Sequence, residues 1–257
     1  FTEGPAVDKR GNVYFTDQPN DKIYKWGTDG QLTEFMAKTG RSNGLYFDKK
    51  GTLLACADEK NELWAIDPKT KKVTVLLTDL GGKKLNGPND LWVDPKGNIY
   101  FTDPLYPRDY WDRKTSELDG QKVYFLAKGA KQPVVVDGDL QQPNGIVGTP
   151  DGKHLFVADI RARKTYKYRI NPDGSLGDRQ LFVSQGSDGM TLDAQGNLYL
   201  TGQGVTVYDP VGRKLGNIPV PSRWVGNVAF GGKNRRTLFI TASESVYTLA
   251  MAVKGVE

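Results

Sequence analysis

The sequence predicts an all-β fold, a six-bladed β-propeller, on three observations: a strand motif that recurs at blade-sized intervals, turn glycines that keep the same interval, and the absence of any helical pattern. The motif is a run of apolar and β-branched residues: VYFTD (13–17), LLACAD (53–58), IYFTD (99–103), LFVAD (155–159), LYLTG (198–202) and LFITA (238–242). The first five follow a turn containing Gly11, Gly51, Gly97, Gly152 or Gly196, at intervals of 40, 46, 55 and 44 residues. Self-similarity at that period marks a repeat architecture. No segment longer than two helical turns carries a 3.6-residue apolar period, whereas alternation bounded by turn residues is general.

Each repeat supplies about four strands; in the second they are GLYFD, LLACAD, ELWAID and VTVLL. A sheet this small cannot bury both faces alone, so such sheets stack radially about an axis. Six repeats make one propeller domain over residues 1–257. The sixth offers NVAF, TLFITA and SVYTLAM. Its fourth strand would be supplied by residues ahead of Phe1, so the last blade is expected to be one strand short.

The repeat register also yields a ring of oxygen-bearing side chains. Eight residues before the turn glycines stand Glu3, Asn43, Asn89, Asn144 and Asp188, in the contexts TEGP, SNGL, PNDL, PNGI and SDGM. Arg235 takes the glycine's place in the sixth repeat, and eight residues before it stands Asn227. Asn and Asp ahead of Gly are also ordinary turn residues that bond their own backbone, which alone accounts for Asn43 and Asn144. The innermost strand of each blade, however, opens toward the axis. Two carboxylates and several amides converging there would repel or stay unsatisfied without a cation. A donor set of hard oxygens, without Cys or His, favours Ca²⁺ first, with Mg²⁺, Mn²⁺ or Zn²⁺ as alternatives.

Other classes of chemistry find little support. His154 is the only histidine and follows the Gly152 turn, at the opposite end of the strands from the ring, so a Ser-His-Asp or Cys-His mechanism lacks a base. Cys56 is the only cysteine; within LLACAD it reads as a small buried hydrophobe. The net charge of +5 is scattered, and its densest run, Lys233 to Arg236, reads as a hairpin turn, so no nucleic-acid partner is expected. Apolar runs such as GLYF (44–47), PVVV (133–136) and LFV (155–157) fall far short of the roughly 20 residues a membrane span needs. The expectation is therefore a soluble protein, a monomer or weak oligomer, without a membrane partner. It would be cytoplasmic, or periplasmic or secreted after signal removal. The chain opens at Phe1 without Met, so targeting cannot be read.

The joins between second and third strands lie on the ring's face. They are short (QPND at 18–21, EKN at 59–61, IRAR at 160–163) except in the third repeat, where PLYPRDYWDRKTSELDGQ runs from Pro104 to Gln121. A long aromatic and charged loop over the functional face reads as a lid or substrate wall. Its Tyr106, Arg108, Tyr110 and Trp111 suit sugar recognition.

TEGP, GPND, FTDPLY, QPNG with the following PDGK, and SDGMTLDAQGNLY resemble the gluconolactonase, regucalcin (senescence-marker protein) and luciferin-regenerating-enzyme family over essentially the whole chain, with bacterial gluconolactonase-like members nearest. The resemblance implies a six-bladed propeller with one axial divalent metal, ligated by Glu3, Asn144 and Asp188. It implies that Asn89 contacts substrate or completes the metal's surroundings, with Asp90 beside it. Asn43 and Asn227 stand behind these. The implied activity is metal-dependent opening of a sugar lactone to an aldonic acid. The cation would stabilise the developing oxyanion, and Asp188 is the first candidate and Asp90 the second to activate water. Two other readings stay open: a propeller hydrolase acting on a phosphoester or organophosphate, and a non-enzymatic binding propeller built from NHL-like repeats.

Overall fold

The computed structural model describes residues 1–256. Its strands form six antiparallel sheets, each in chain order from the axis outward. Blade one holds β1 (Thr2–Val7), β2 (Val13–Asp17), β3 (Lys22–Trp26) and β4 (Leu32–Ala37); blade two holds β5 (Ser42–Phe47), β6 (Leu53–Ala57), β7 (Glu62–Ile66) and β8 (Val73–Leu77). Blade three is β9 (Leu91–Val93), β10 (Ile99–Asp103), β11 (Lys122–Leu126) and β12 (Val134–Asp137), and blade four is β13 (Pro143–Gly148), β14 (His154–Asp159), β15 (Lys164–Ile170) and β16 (Leu176–Val183). Blade five is β17 (Met190–Leu192), β18 (Leu198–Gly202), β19 (Gly204–Tyr208) and β20 (Lys214–Ile218). Blade six has three strands among the described residues, β21 (Asn227–Gly231), β22 (Thr237–Ala242) and β23 (Ser245–Ala250). The only helical element among them is one 3-10 turn, Gln18–Asn20.

The recurring motif is the second strand of every blade. It is apolar almost throughout because neighbouring blades cover both its faces: β6 and β10 are buried at every position. The outer strands face solvent, and β20 (KLGNI) is exposed or half-buried along its length. Core clusters fill the joints between blades. Phe15 and Val13 of blade one meet Phe239 and Ala229 of blade six, with the Phe15 and Phe239 rings 5.3 Å apart. The Thr2 N–H donates to Ser243 O at 2.7 Å, and Arg235 donates to Asp8 O at 2.7 Å. Blades one and six are thus joined by packing and hydrogen bonds across the seam.

A second joint repeats closer to the axis. The buried threonines of the motif donate to the next blade's axial backbone: Thr16 to Asn43 O at 3.0 Å, Thr102 to Asn144 O at 2.8 Å and Thr201 to Gly226 O at 2.9 Å. The turn register also holds in detail. Arg235 adopts a left-handed backbone (φ 55), as do Gly11, Gly51, Gly97, Gly152 and Gly196 in the equivalent turns. His154 begins β14 beside its turn, and Cys56 is fully buried, its thiol pKa pushed well up by burial and then by nearby acids, as for an inert core cysteine. No helix among the described residues is long and apolar enough to cross a membrane.

Candidate metal and active site on the propeller axis

The six ring positions close around the axis. Glu3, Asn43, Asn144 and Asn227 lie in β1, β5, β13 and β21, while Asn89 and Asp188 fall just before the short strands β9 and β17. The pairing nevertheless continues past the end of β9: Asn89 N–H donates to Thr102 O at 2.9 Å and Thr102 N–H to Asp90 O at 3.0 Å. The inner strands approach so closely that the residue after the ring position has little room for a side chain. A Cβ at Gly4, which is left-handed at φ +42, would lie 2.0 Å from Asn43 O, and one at Gly145 would lie 2.3 Å from Asp188 O. This explains the S-N-G, P-N-G and S-D-G contexts as axial packing. Blades three and six depart from it, with Asp90 and Val228 in the glycine's place. The Asp90 carboxylate accepts Leu91 N–H at 2.9 Å, and Asn227, 137 residues away, donates to it at 3.5 Å.

Glu3 and Asn144 are buried and Asp188 is half-buried at the mouth. Burial raises the Glu3 carboxyl well above its usual range, the charge of Asp188 pushes the same way, and Asp90 adds to it against the Gly4 N–H and the Asn227 amide. The Asp188 carboxyl is pushed up to about 6 by burial, against the pull of the Trp224 indole, the Asn144 amide and Arg108. Burial and the Asp188 charge together disfavour an ionised Glu3, and burial disfavours an ionised Asp188, a situation that a bound cation would relieve.

Asn144 has a matching deficiency. Its amide N–H donates to the Tyr106 hydroxyl at 2.9 Å, but its buried Oδ1 has no hydrogen-bond partner among the described residues. An orphaned acceptor of this kind calls for a ligand. Glu3, Asp188 and Asn144 Oδ1 therefore fit a hard divalent cation in donor type and charge. Among the described residues no three His, Cys, Asp or Glu side chains form a metal cluster, as follows where an amide completes the set. Asn227 differs: its Oδ1 already accepts Val228 N–H at 2.8 Å, which turns its amide N–H toward the acids. The Asn43 and Asn89 side chains, both buried, make no hydrogen bond among the described residues.

The 104–121 loop stands over this well. Tyr106 reaches Asn144, and burial, then the Asp188 charge, raises its phenol so that it stays protonated. Arg108 lies over the Tyr106 ring, 5.6 Å from its centroid, and donates to Asp58 Oδ2 at 3.0 Å. Asp58 is buried, and Gln18 (3.2 Å) and the Tyr110 hydroxyl also donate to its Oδ2. Burial raises its pKa, against the pull of Arg108 and Tyr110. Trp111 is buried, with its indole N–H on Asp58 O at 2.9 Å. Its ring is therefore placed as an anchor of the loop, not as an open stacking surface.

Two residues outside the ring and the 104–121 loop belong here. Asp58 ends the LLACAD motif on the ring's face, a position that was itself the signal. Trp224 lies three residues ahead of Asn227 on the loop entering blade six; it is exposed and donates its indole N–H to Asp188 Oδ2 at 2.8 Å. An aromatic on a loop leading into the ring was the only clue.

The chain matches the SMP-30/Gluconolactonase/LRE-like region across residues 1–244. It belongs to that family. It is 30% identical to a gluconolactonase of Zymomonas mobilis over 276 residues, covering 96% of this chain and 77% of that protein. A solved gluconolactonase structure from Xanthomonas campestris superposes with a TM-score of 0.90 at 28% identity, covering 97% of this chain and 86% of that one. The diisopropyl-fluorophosphatase of Loligo vulgaris is 26% identical over 275 residues, covering 95% of this chain and 86% of that protein.

Proposed function

We propose that this family member is a divalent-metal-dependent lactonase that opens sugar lactones to aldonic acids. The observation that carries the reading is Asn144 Oδ1, buried and without a hydrogen-bond donor, beside the carboxylates of Glu3 and Asp188, both raised by burial and Glu3 also by the Asp188 charge. These three would hold the ion, Ca²⁺ first for an all-oxygen set. When bound, the ion supplies Lewis acidity to the ester carbonyl.

The chain's own residues do the rest. Water's oxygen bonds to the carbonyl carbon, the ring C–O bond breaks, and one proton passes from water to the departing ring oxygen. Asp188 carries that proton: it is half-exposed at the mouth, with Oδ2 oriented by the Trp224 N–H. Asp90 is the alternate base, but it is buried and held by Leu91 and Asn227. Tyr106, with its proton retained, and the unengaged amide of Asn89 supply hydrogen bonds to sugar hydroxyls, and the Tyr106–Arg108 wall limits entry of bulk water. The similarity to a fluorophosphatase keeps phosphorus esters as a second substrate class for the same well.

The test is hydrolysis of a panel of aldonolactones, beside a fluorophosphate, before and after chelation and with Ca²⁺, Mg²⁺, Mn²⁺ or Zn²⁺ restored. Lactone turnover lost to chelator and regained with one ion is expected. Full lactone turnover in the chelated protein would remove metal dependence from the proposal, and turnover of the fluorophosphate alone would replace its substrate.

A further inference from the structure

We propose a second binding site, for a small organic anion with an apolar body, in the cleft between blades two and three at the turn end of the propeller. The cleft encloses about 680 Å³, within the roughly 300–1,000 Å³ typical of small-molecule sites. Apolar side chains of both blades line it, among them Leu54, Ala65, Val93, Ile99 and Leu126. Around them stand Lys9, Lys49, Lys50, Lys96, Lys128 and Lys131, with Arg235 at the axial end.

Only two acids, Asp48 and Asp94, share this lining, so the local excess equals the net +5 of the entire chain. Both acids are committed to their own turns. Asp48 Oδ1 accepts Lys50 N–H and Thr52 N–H at 2.8 Å each. Asp94 Oδ1 accepts Lys96 N–H at 2.8 Å and Asn98 N–H at 2.9 Å, and its Oδ2 accepts the Asn98 amide at 2.7 Å. Lys49 and Lys96 donate to the carbonyls of Pro95 and Pro172 at 3.3 Å each. Lys9, Lys50, Lys128 and Lys131 make no ion pair among the described residues, and each is exposed.

A cluster of like charges around an apolar hollow repels itself and focuses a positive potential into the hollow. The complement is an anionic head joined to an apolar body. A neutral polyol would leave both the excess positive charge and the apolar floor unmatched. A nucleic acid needs an extended basic track, which a bounded cleft between two blades does not offer.

The test titrates 8-anilinonaphthalene-1-sulfonate into the full chain by fluorescence, with decanoate, decanol and inorganic sulfate as competitors. Saturable single-site binding is expected, displaced by decanoate but not by decanol or sulfate at the same concentration. Lys50→Glu combined with Lys128→Glu, both on exposed turns, should weaken it about tenfold or more. Val75→Asp, on the exposed outer strand of blade two, should weaken it separately. Read in parallel, melting temperature should not fall and lactone turnover should be unchanged in both variants. No saturable binding, binding indifferent to these substitutions, or equal displacement by decanol overturns the proposal. A chain inactive on lactones would leave this test intact, because the probe is read by its own fluorescence.

Discussion

At the turn end of the propeller, Asp8, Asp94 and Asp193 are each satisfied inside their own D-x-x-G-N turn: Oδ1 accepts the N–H groups two and four residues on, and Oδ2 accepts the Asn amide four residues on. At the ring end remote partners join the local ones, which for Glu3 and Asp90 are the N–H groups of Gly4 and Leu91. Asp58 is held from 40, 50 and 52 residues away, Asp188 by Trp224 from 36, and Asp90 by Asn227 from 137. The first kind of carboxylate finishes a turn and leaves nothing over. The second gathers charge at one point and leaves Asn144 Oδ1 unmet, which is the condition for binding something else.

The contrast breaks most sharply by substitution at Asp188. Asp188→Asn keeps the shape and one oxygen but removes the base, so kcat should fall on the order of a hundredfold or more even at saturating metal. Asn144→Asp should mainly alter metal affinity and retain turnover. Normal turnover by Asp188→Asn at saturating metal would reduce Asp188 to a ligand and move the base to Asp90.

The turn-end counterpart is Asp193→Ala. Asp193 is fully buried and accepts from Gln195, Asn197 and the Tyr199 hydroxyl. Stranding those donors should cost about 2–3 kcal/mol of stability, read by denaturant titration, with kcat per folded molecule retained. A variant as stable as the parent but catalytically impaired would reverse the contrast.

Asp58→Asn sharpens the comparison within the ring end. It preserves volume but removes the charge that Arg108 and Tyr110 share, so the 104–121 loop should loosen. KM should rise several-fold with a smaller change in kcat, and trypsin should cut faster at Arg108 or Arg113. Parent-like kinetics and cleavage would mean that the loop is held elsewhere.

The smallest effect is one of pH. Burial pushes the Asp103 carboxyl from an ordinary 3.8 to about 7, against the Asn86 and Gly87 N–H groups that bond it. A folded-state value above the unfolded one means that the native protein holds its proton longer. This contribution is complete below about pH 4 and is lost as pH rises to about 7. Melting temperature in chelator should therefore drift down from pH 5 to 8, and Asp103→Asn should flatten part of that drift; an identical slope in the variant would assign it to other groups.

By itself the sequence determined the blades and the ring positions, because both are periodic. A strand buried on both faces must be apolar throughout, so VYFTD and its repeats were visible, and the turn glycines, with Arg235 standing in for the sixth, carried the count to Glu3, Asn144 and Asp188. The D-x-x-G-N turns follow the same period, and the N–H and amide partners of each Asp lie two and four residues on, with only the Tyr199 hydroxyl reaching Asp193 from six. What tertiary structure alone decided lies off that period. The path of the 104–121 loop carries Arg108, Tyr110 and Trp111 back to Asp58, burying an indole that the sequence offered as a sugar-stacking ring. The loop into blade six brings Trp224 to Asp188, and Asp90 in a glycine's place reaches Asn227. Periodicity fixes where a backbone position falls around the axis, but a side chain's partners depend on loops that closure of the ring brings together, and those follow no repeat.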